Sequence, residues 1–181
     1  VDKRVGNIIQ TLKDNGLYEN TIIIFAGDNG LAVGQHGLMG KQNVYEHSVG
    51  VPLMIKAAAQ HTGKKTADLC YLIDVFPTLC DMLQLPVPQS VDGISLLSSL
   101  DGKEPVRDYL YYSYMDNQRG ISDGTWKLIE YHVNGKRTTQ LFNLKNDPWE
   151  RNDLSGQKKY EKTIQRLREK MAEEQKRTND T

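Results

Sequence analysis

Four residues within one short stretch carry the chemistry this sequence offers: Asp28, Asn29, His36 and Lys41. Asp28 and Asn29 present a carboxylate and an amide carbonyl. Both are hard oxygen donors of the kind that hold Ca²⁺ or Mg²⁺. Glycines stand at positions 30, 34, 37 and 40, between that pair and Lys41. A glycine-rich loop lets backbone approach an anion closely, and a lysine adds a point charge to it. Each feature also has a plainer reading. Asp-Asn-Gly alone makes a turn, because these residues tolerate left-handed backbone angles. A lone histidine is more often structural than catalytic. His36 shares a glycine loop with an acid–amide pair, which keeps the catalytic reading open beside the structural one.

Elements on either side must position this stretch. Ile22 to Ala26 is a continuous apolar run, read as a buried strand of the kind common in parallel sheets. Ligands of open α/β sheets bind just past the carboxyl ends of strands, where Asp28 and Asn29 stand. Val5, Ile8, Ile9 and Leu12 predict a preceding helix, with Asp2 as N-cap and Asn15-Gly16 as its stop. Such a helix and strand are half of a βαβ unit. The chain therefore reads as truncated, with its first helix needing an upstream sheet.

Downstream, Val51 to Ile55 predicts a short strand with Pro52 at its start. Ala57 to Lys65 reads as loop and Leu69 to Leu72 as a brief strand. A helix is expected from Asp74, as N-cap, to near Gln84, with Pro77 in its first turn. Residues 86–102 read as a linker with a short helix. The pattern then changes. Tyr109 to Tyr114 and Trp126 to Val133 predict strands, and Gly120 to Gly124 a hairpin turn with its flanks. Asn134-Gly135 signals a type I′ turn leading into Thr138 to Leu144. Tyr160, Ile164, Leu167 and Met171 mark one stripe of a last helix, whose charged end is expected to fray. The fold class expected is α/β. Residues 1–100 would be the C-terminal portion of a core domain with mixed or parallel strands. Residues 101–181 would be a small antiparallel sheet with a C-terminal helix.

Composition bounds the rest. The 181 residues suffice for one real core, or a core piece plus a small subdomain. Net charge is zero, so nothing favours nucleic acid as a partner. No apolar run reaches the length of a membrane span. Cys70 and Cys80 form neither a metal pattern nor a disulfide framework, and both read as buried, reduced thiols.

The stretch Thr21-Ile-Ile-Ile-Phe-Ala-Gly-Asp-Asn-Gly30, with Gly34-Gln-His-Gly37, Gly40-Lys41, Tyr45-Glu46 and Val51-Pro-Leu53, resembles the sulfatase family of the alkaline-phosphatase-like superfamily. The resemblance continues through Asp74 to Leu79 and the Asp92-Gly93 to Leu96 segment. It extends into Trp126-Lys-Leu-Ile129, Leu141-Phe-Asn-Leu144 and Asp147-Pro-Trp-Glu150. It implies that Asp28 and Asn29 are the late pair of Ca²⁺ ligands, with Mg²⁺ as the other hard cation. It implies that Lys41 contacts sulfate. His36 would contact the substrate, at the sugar ring or the bridging oxygen. Tyr45 and Glu46 are read as packing the loop, and His47 and His61 as structural. Gly50 departs from the arginine common in sulfatases, which puts in doubt any ion pair that arginine would make.

Sulfatases use a formylglycine made within a Cys/Ser-x-Pro-x-Arg motif, and this sequence contains no such motif. The formylglycine and the early acidic ligands would lie in a missing N-terminal part of the same enzyme. The chain alone would then be inactive. The expected partners are that part and a sulfated small molecule or glycan, in a periplasmic or secreted setting. Two other readings stay open. One is a non-catalytic binding module. The other is a phosphatase or phosphonate hydrolase of the same superfamily, which Asp28-Asn29 weakens because its zinc enzymes typically have Asp-His there.

Overall fold

A computed structural model describes residues 1–57, 63 and 65–180. Helix α1 (Asp2–Asp14) opens the chain and ends at Asn15, with Gly16 at φ +68°. Val1 is its N-cap, so Asp2 is the first helical residue and not the cap. The α1 apolar face has no fully buried residue, and Ile8 is 60% exposed. β1 (Ile23–Ala26) pairs antiparallel with β4 (Leu53–Lys56), and its residues are half-buried or exposed rather than fully enclosed. Between them lie a ribbon of β2 (Ala32–Val33) and β3 (Met39–Gly40) and the one-turn helix α2 (Glu46–Val49). His61 and most of the loop expected at 57–65 lie outside the described residues.

The strand expected at Leu69 to Leu72 does not form; extended chain runs into a 3₁₀ turn at Leu72–Asp74. Helix α3 (Val75–Met82) follows, then the one-turn α4 (Leu97–Leu100) within the predicted linker. Asp74 stands at the N-cap position of α3 without capping it through its side chain. Its carboxylate instead accepts the amides of Tyr71 and Ile94, each at 2.8 Å, and pairs with Arg107. Asp74 is fully buried, so this one group ties three loops together. Cys70 and Cys80 are free thiols; Cys80 is buried and Cys70 half-buried.

The four-stranded antiparallel sheet runs β5 (Leu110–Tyr114), β6 (Gln118–Ser122), β7 (Trp126–Val133) and β8 (Lys136–Asn143), paired in chain order. Gly120 to Ser122 belong to β6, and the turn itself falls on Gly124 and Thr125, closed by the Asp123 amide on the Trp126 carbonyl at 3.1 Å. Asn134 and Gly135 both take positive φ, as a type I′ turn requires.

This sheet is covered on both faces. Leu128 of β7 joins Ile121 and Leu141 against Ile164, Leu167 and Met171 of helix α5 (Glu161–Thr178). Ile129 and Phe142, on the opposite face, pack against Val44 and Tyr45. The period-2 alternation of a strand makes this split. A polar residue on each face is therefore buried with the core. Glu130 on the helix side binds Arg168, Arg137 and Thr139. Lys127 on the other side is fully enclosed. The end of α5 is also anchored, against the expectation of fraying: Asp180 binds Arg119 at 2.7 Å and the Tyr111 hydroxyl.

Candidate active site

The chain leaves β1 at Ala26 and turns through Gly27 to expose Asp28 and Asn29. Gly30 follows, with its amide on the Ser48 carbonyl at 2.8 Å. A Cβ at position 30 would collide with the backbone of His47, so glycine is required for this close approach. The Asp28 carboxylate accepts the Asn29 amide at 2.8 Å through Oδ1, and its side chain is 90% exposed. The Asn29 Nδ2 donates to the carbonyls of Gly30 (2.8 Å) and Lys41 (3.3 Å). Two carbonyl acceptors fix the amide orientation, which leaves Oδ1 as its free end. The pair thus offers two hard oxygens, and that donor set fits Ca²⁺ or Mg²⁺. Among the described residues no group of three or more His, Cys, Asp or Glu side chains is arranged to hold a metal.

Lys41 is brought to the pair by the β2–β3 ribbon. Its Nζ lies 3.9 Å from Asp28 Oδ2. An exposed pair at that distance contributes little to stability. Both side chains stay largely open to solvent at this approach, 60% exposed for Lys41 and 90% for Asp28. Asp28 and Asn29 line a cavity of about 760 Å³, together with Glu46, Gly50, Arg107 and Tyr111.

His36 sits at the tip of the same ribbon, at φ +54° between two positive-φ glycines, Gly34 and Gly37. Its Nε2 lies 3.1 Å from the Trp149 carbonyl, and its ring stacks on Tyr45 at 3.9 Å between centroids. A carbonyl only accepts, so Nε2 is the donor and Nδ1 the nitrogen left to another partner. The structure brings Asp28, Asn29 and Lys41 together directly. It holds His36 through Tyr45 and Trp149.

His47 completes a triangle of rings, 5.7 Å from Tyr45 and 5.6 Å from His36 between centroids, with a buried Nε2. Burial, then the charges of His36 and Lys127, hold its pKa below the ordinary histidine value.

The sequence reading missed what stands behind the loop. Lys127 Nζ lies 2.8 Å from Glu46 Oε1 and 3.1 Å from Glu150 Oε1, and 5.1 Å from the centre of the Tyr112 ring. The other Glu150 oxygen accepts the Glu46 amide at 2.6 Å. Burial pushes the Glu150 carboxyl up, against the opposing pull of Lys127 and the Glu46 amide. The signal available in sequence was a lysine on a strand face otherwise filled by Ile129 and Tyr131. Glu46 therefore has a cationic partner although position 50 is glycine. A Cβ at Gly50 would come within 2.9 Å of Glu46 Oε2.

A core strand ending in a metal-suited acid–amide pair, followed by a four-stranded sheet and a closing helix, defines the C-terminal part of a sulfatase. The chain belongs to the family described as N-sulphoglucosamine sulphohydrolase, C-terminal, which it matches over residues 34–177. It is similar to an N-acetylglucosamine-6-O-sulfatase of Bacteroides thetaiotaomicron, with 30% identity over 99% of this chain and 34% of that protein. It is 32% identical to a choline-sulfatase of Rhizobium meliloti, over 86% of this chain and 31% of that protein. The chain thus spans about a third of the length of the curated relatives it matches.

Among solved structures, one is of a protein in complex with its substrate D-glucosamine-2-N,6-O-disulfate. It superposes with a TM-score of 0.85 at 28% identity, covering 100% of this chain and 39% of that one. The phosphonate monoester hydrolase of Agrobacterium radiobacter also shares the fold, at a TM-score of 0.80 and 26% identity, over 95% of this chain and 38% of that one.

Proposed function

We propose that this chain is the working C-terminal part of an enzyme that hydrolyses sulfate esters. Asp28 and Asn29 would hold a Ca²⁺ ion (Mg²⁺ being the other candidate), and Lys41 would contact the sulfate. The observation that carries this reading is the approach of Lys41 Nζ to Asp28 Oδ2 at 3.9 Å, both open to solvent past the end of β1. When bound, the cation would supply electrostatic stabilisation of the sulfuryl oxygens. Lys41 adds a positive charge on the same side, and the fixed Asn29 amide keeps its backbone in place. His36 presents Nδ1, able to accept from a sugar hydroxyl when neutral or to donate to the bridging oxygen when protonated.

The nucleophile, a formylglycine, would come from outside this chain, which alone should be inactive. The substrate class we favour is a sulfated glycan. The support is the printed activity of the 6-O-sulfatase relative and the disulfated glucosamine bound to the structural neighbour.

The test is sulfate release from 6-O-sulfated and N-sulfated glucosamine by the full-length enzyme, beside an aryl sulfate and a phosphonate monoester. Turnover of the sulfates well above the phosphonate supports the reading. A reversed preference would replace it with phosphonate hydrolysis, the reading that the shared fold with the Agrobacterium enzyme favours.

A further inference from the structure

The His36 ring meets Tyr45, the Trp149 carbonyl and, at 5.6 Å between centroids, the His47 ring; the first two belong to chain neighbours of carboxylates bound to one buried cation. Tyr45, which stacks on the His36 ring, precedes Glu46; Trp149, whose carbonyl meets Nε2, precedes Glu150. Glu46 and Glu150 both pair with Lys127, whose side chain has no exposure, and Glu150 also binds the Glu46 amide. Glu150 takes φ +54°, so its backbone is held in a conformation that few non-glycine residues adopt. The anchor is therefore closed: one cation, two carboxylates, one amide, and a histidine gripped by the two preceding residues.

From this geometry we infer that Lys127 is a positioning residue for His36, acting through Glu46–Tyr45 and Glu150–Trp149. This rests on the reading of His36 as a substrate contact. The ribbon carrying His36 is only two residues long on each strand. Its strand pairing alone gives little rigidity. Lys127 sits on β7, at the centre of the rigid sheet, and transmits that rigidity to the ribbon's tip. A site must be held to a fraction of an ångström, by side chains that are themselves locked.

The first test is proton NMR of the full-length enzyme, with the histidine ring protons observed selectively. Stacking on Tyr45 should move the His36 ring protons upfield of a free imidazole. In Lys127→Met these resonances should return toward the free positions, and in Glu46→Ala, which releases one arm and is the milder change, they should move part of the way. Arg168→Gln, on the opposite face of the sheet, should leave them in place. If a folded Lys127→Met or Glu46→Ala enzyme keeps the His36 shifts, the inference is overturned. If Lys127→Met does not fold, Glu46→Ala alone decides it.

The second test uses the full-length enzyme. His36→Ala and Glu46→Ala should each lower kcat/KM, and the double variant should cost no more than His36→Ala alone, because residues acting through one another are not additive. Fully additive losses would overturn the positioning role. If His36→Ala leaves turnover intact while the NMR shifts behave as expected, His36 is positioned by Lys127 but is not a substrate contact. That result separates the two claims.

Discussion

Lys127 and Glu46 meet at 2.8 Å across 81 positions of sequence, and their ion pair joins the segment after the glycine-rich ribbon to the C-terminal sheet. The first stands on β7 and the second opens α2, directly after the glycine ribbon. Removing the cation leaves Glu150, 1% exposed, and Glu46, 31% exposed, without their counter-charge.

Lys127→Met should therefore destabilise the chain by about 3–5 kcal/mol, the cost of leaving a buried charge unpaired, with the half-exposed Glu46 keeping the loss toward the lower figure. Adding Glu150→Gln removes the stranded charge and retains an acceptor for the Glu46 amide, so it should recover part of the loss. Urea unfolding of wild type, single and double variants measures both. A double variant less stable than Lys127→Met would refute the account.

Lys41→Ala in the full-length enzyme should lower kcat/KM by on the order of 10²-fold, as loss of one preorganised electrostatic donor does. Lys41→Arg should restore little, because a planar fork does not replace a point charge in a tight loop. The side chain is 60% exposed, so melting temperature should hardly move. Steady-state hydrolysis of an aryl sulfate checks this; near-wild-type turnover in Lys41→Ala would take the residue out of the sulfate site.

Calcium should bind this chain weakly. Asp28 and Asn29 contribute two oxygens, whereas Ca²⁺ takes six to eight. Calorimetry with CaCl₂ should detect no micromolar site, and Asp28→Asn should abolish what weak heat there is. Micromolar affinity would show that further ligands from this chain complete the shell.

Stability should depend on His47 in mildly acidic solution. Its folded pKa is lowered, by burial first and then by neighbouring positive charge, from a reference value of 6.5. Between the folded and unfolded values the unfolded chain binds the extra proton, so stability rises with pH across that window. It is lost as pH falls through about 6.5 and levels off below the folded value. The wild type should thus lose more stability between pH 7.5 and 5 than His47→Gln. Identical pH profiles from thermal melts would rule this out.

Much of the architecture was legible because local signals agreed with tertiary ones. Asn134-Gly135 set a hairpin, and the stripe Ile164, Leu167, Met171 met the sheet as its spacing requires. The acid–amide pair after an apolar run was legible for the same reason. Other features depend on partners distant in sequence. Leu69 to Leu72 is apolar enough for a strand, yet Asp74 draws the Tyr71 amide into a turn. Asp180 holds a tail that composition alone marks as loose, because Arg119 and Tyr111 wait for it on β5 and β6. Lys127 looked like an ordinary strand lysine; only the second layer over the sheet makes it an anchor.

That second layer has a consequence for the order in which the molecule is made. His36 meets Trp149 across 113 positions, and Tyr45 reaches Gln140 across 95. Contacts of such separation close slowly and late. A ribosome delivers the glycine ribbon long before it delivers the hairpin of β7 and β8 on which that ribbon must rest. The histidine can adopt its bound geometry only after residue 150 has emerged and the sheet has closed. On refolding, the upfield His36 signals should therefore grow in with the sheet, and a nascent chain stopped before Trp149 should carry His36 without its bound geometry.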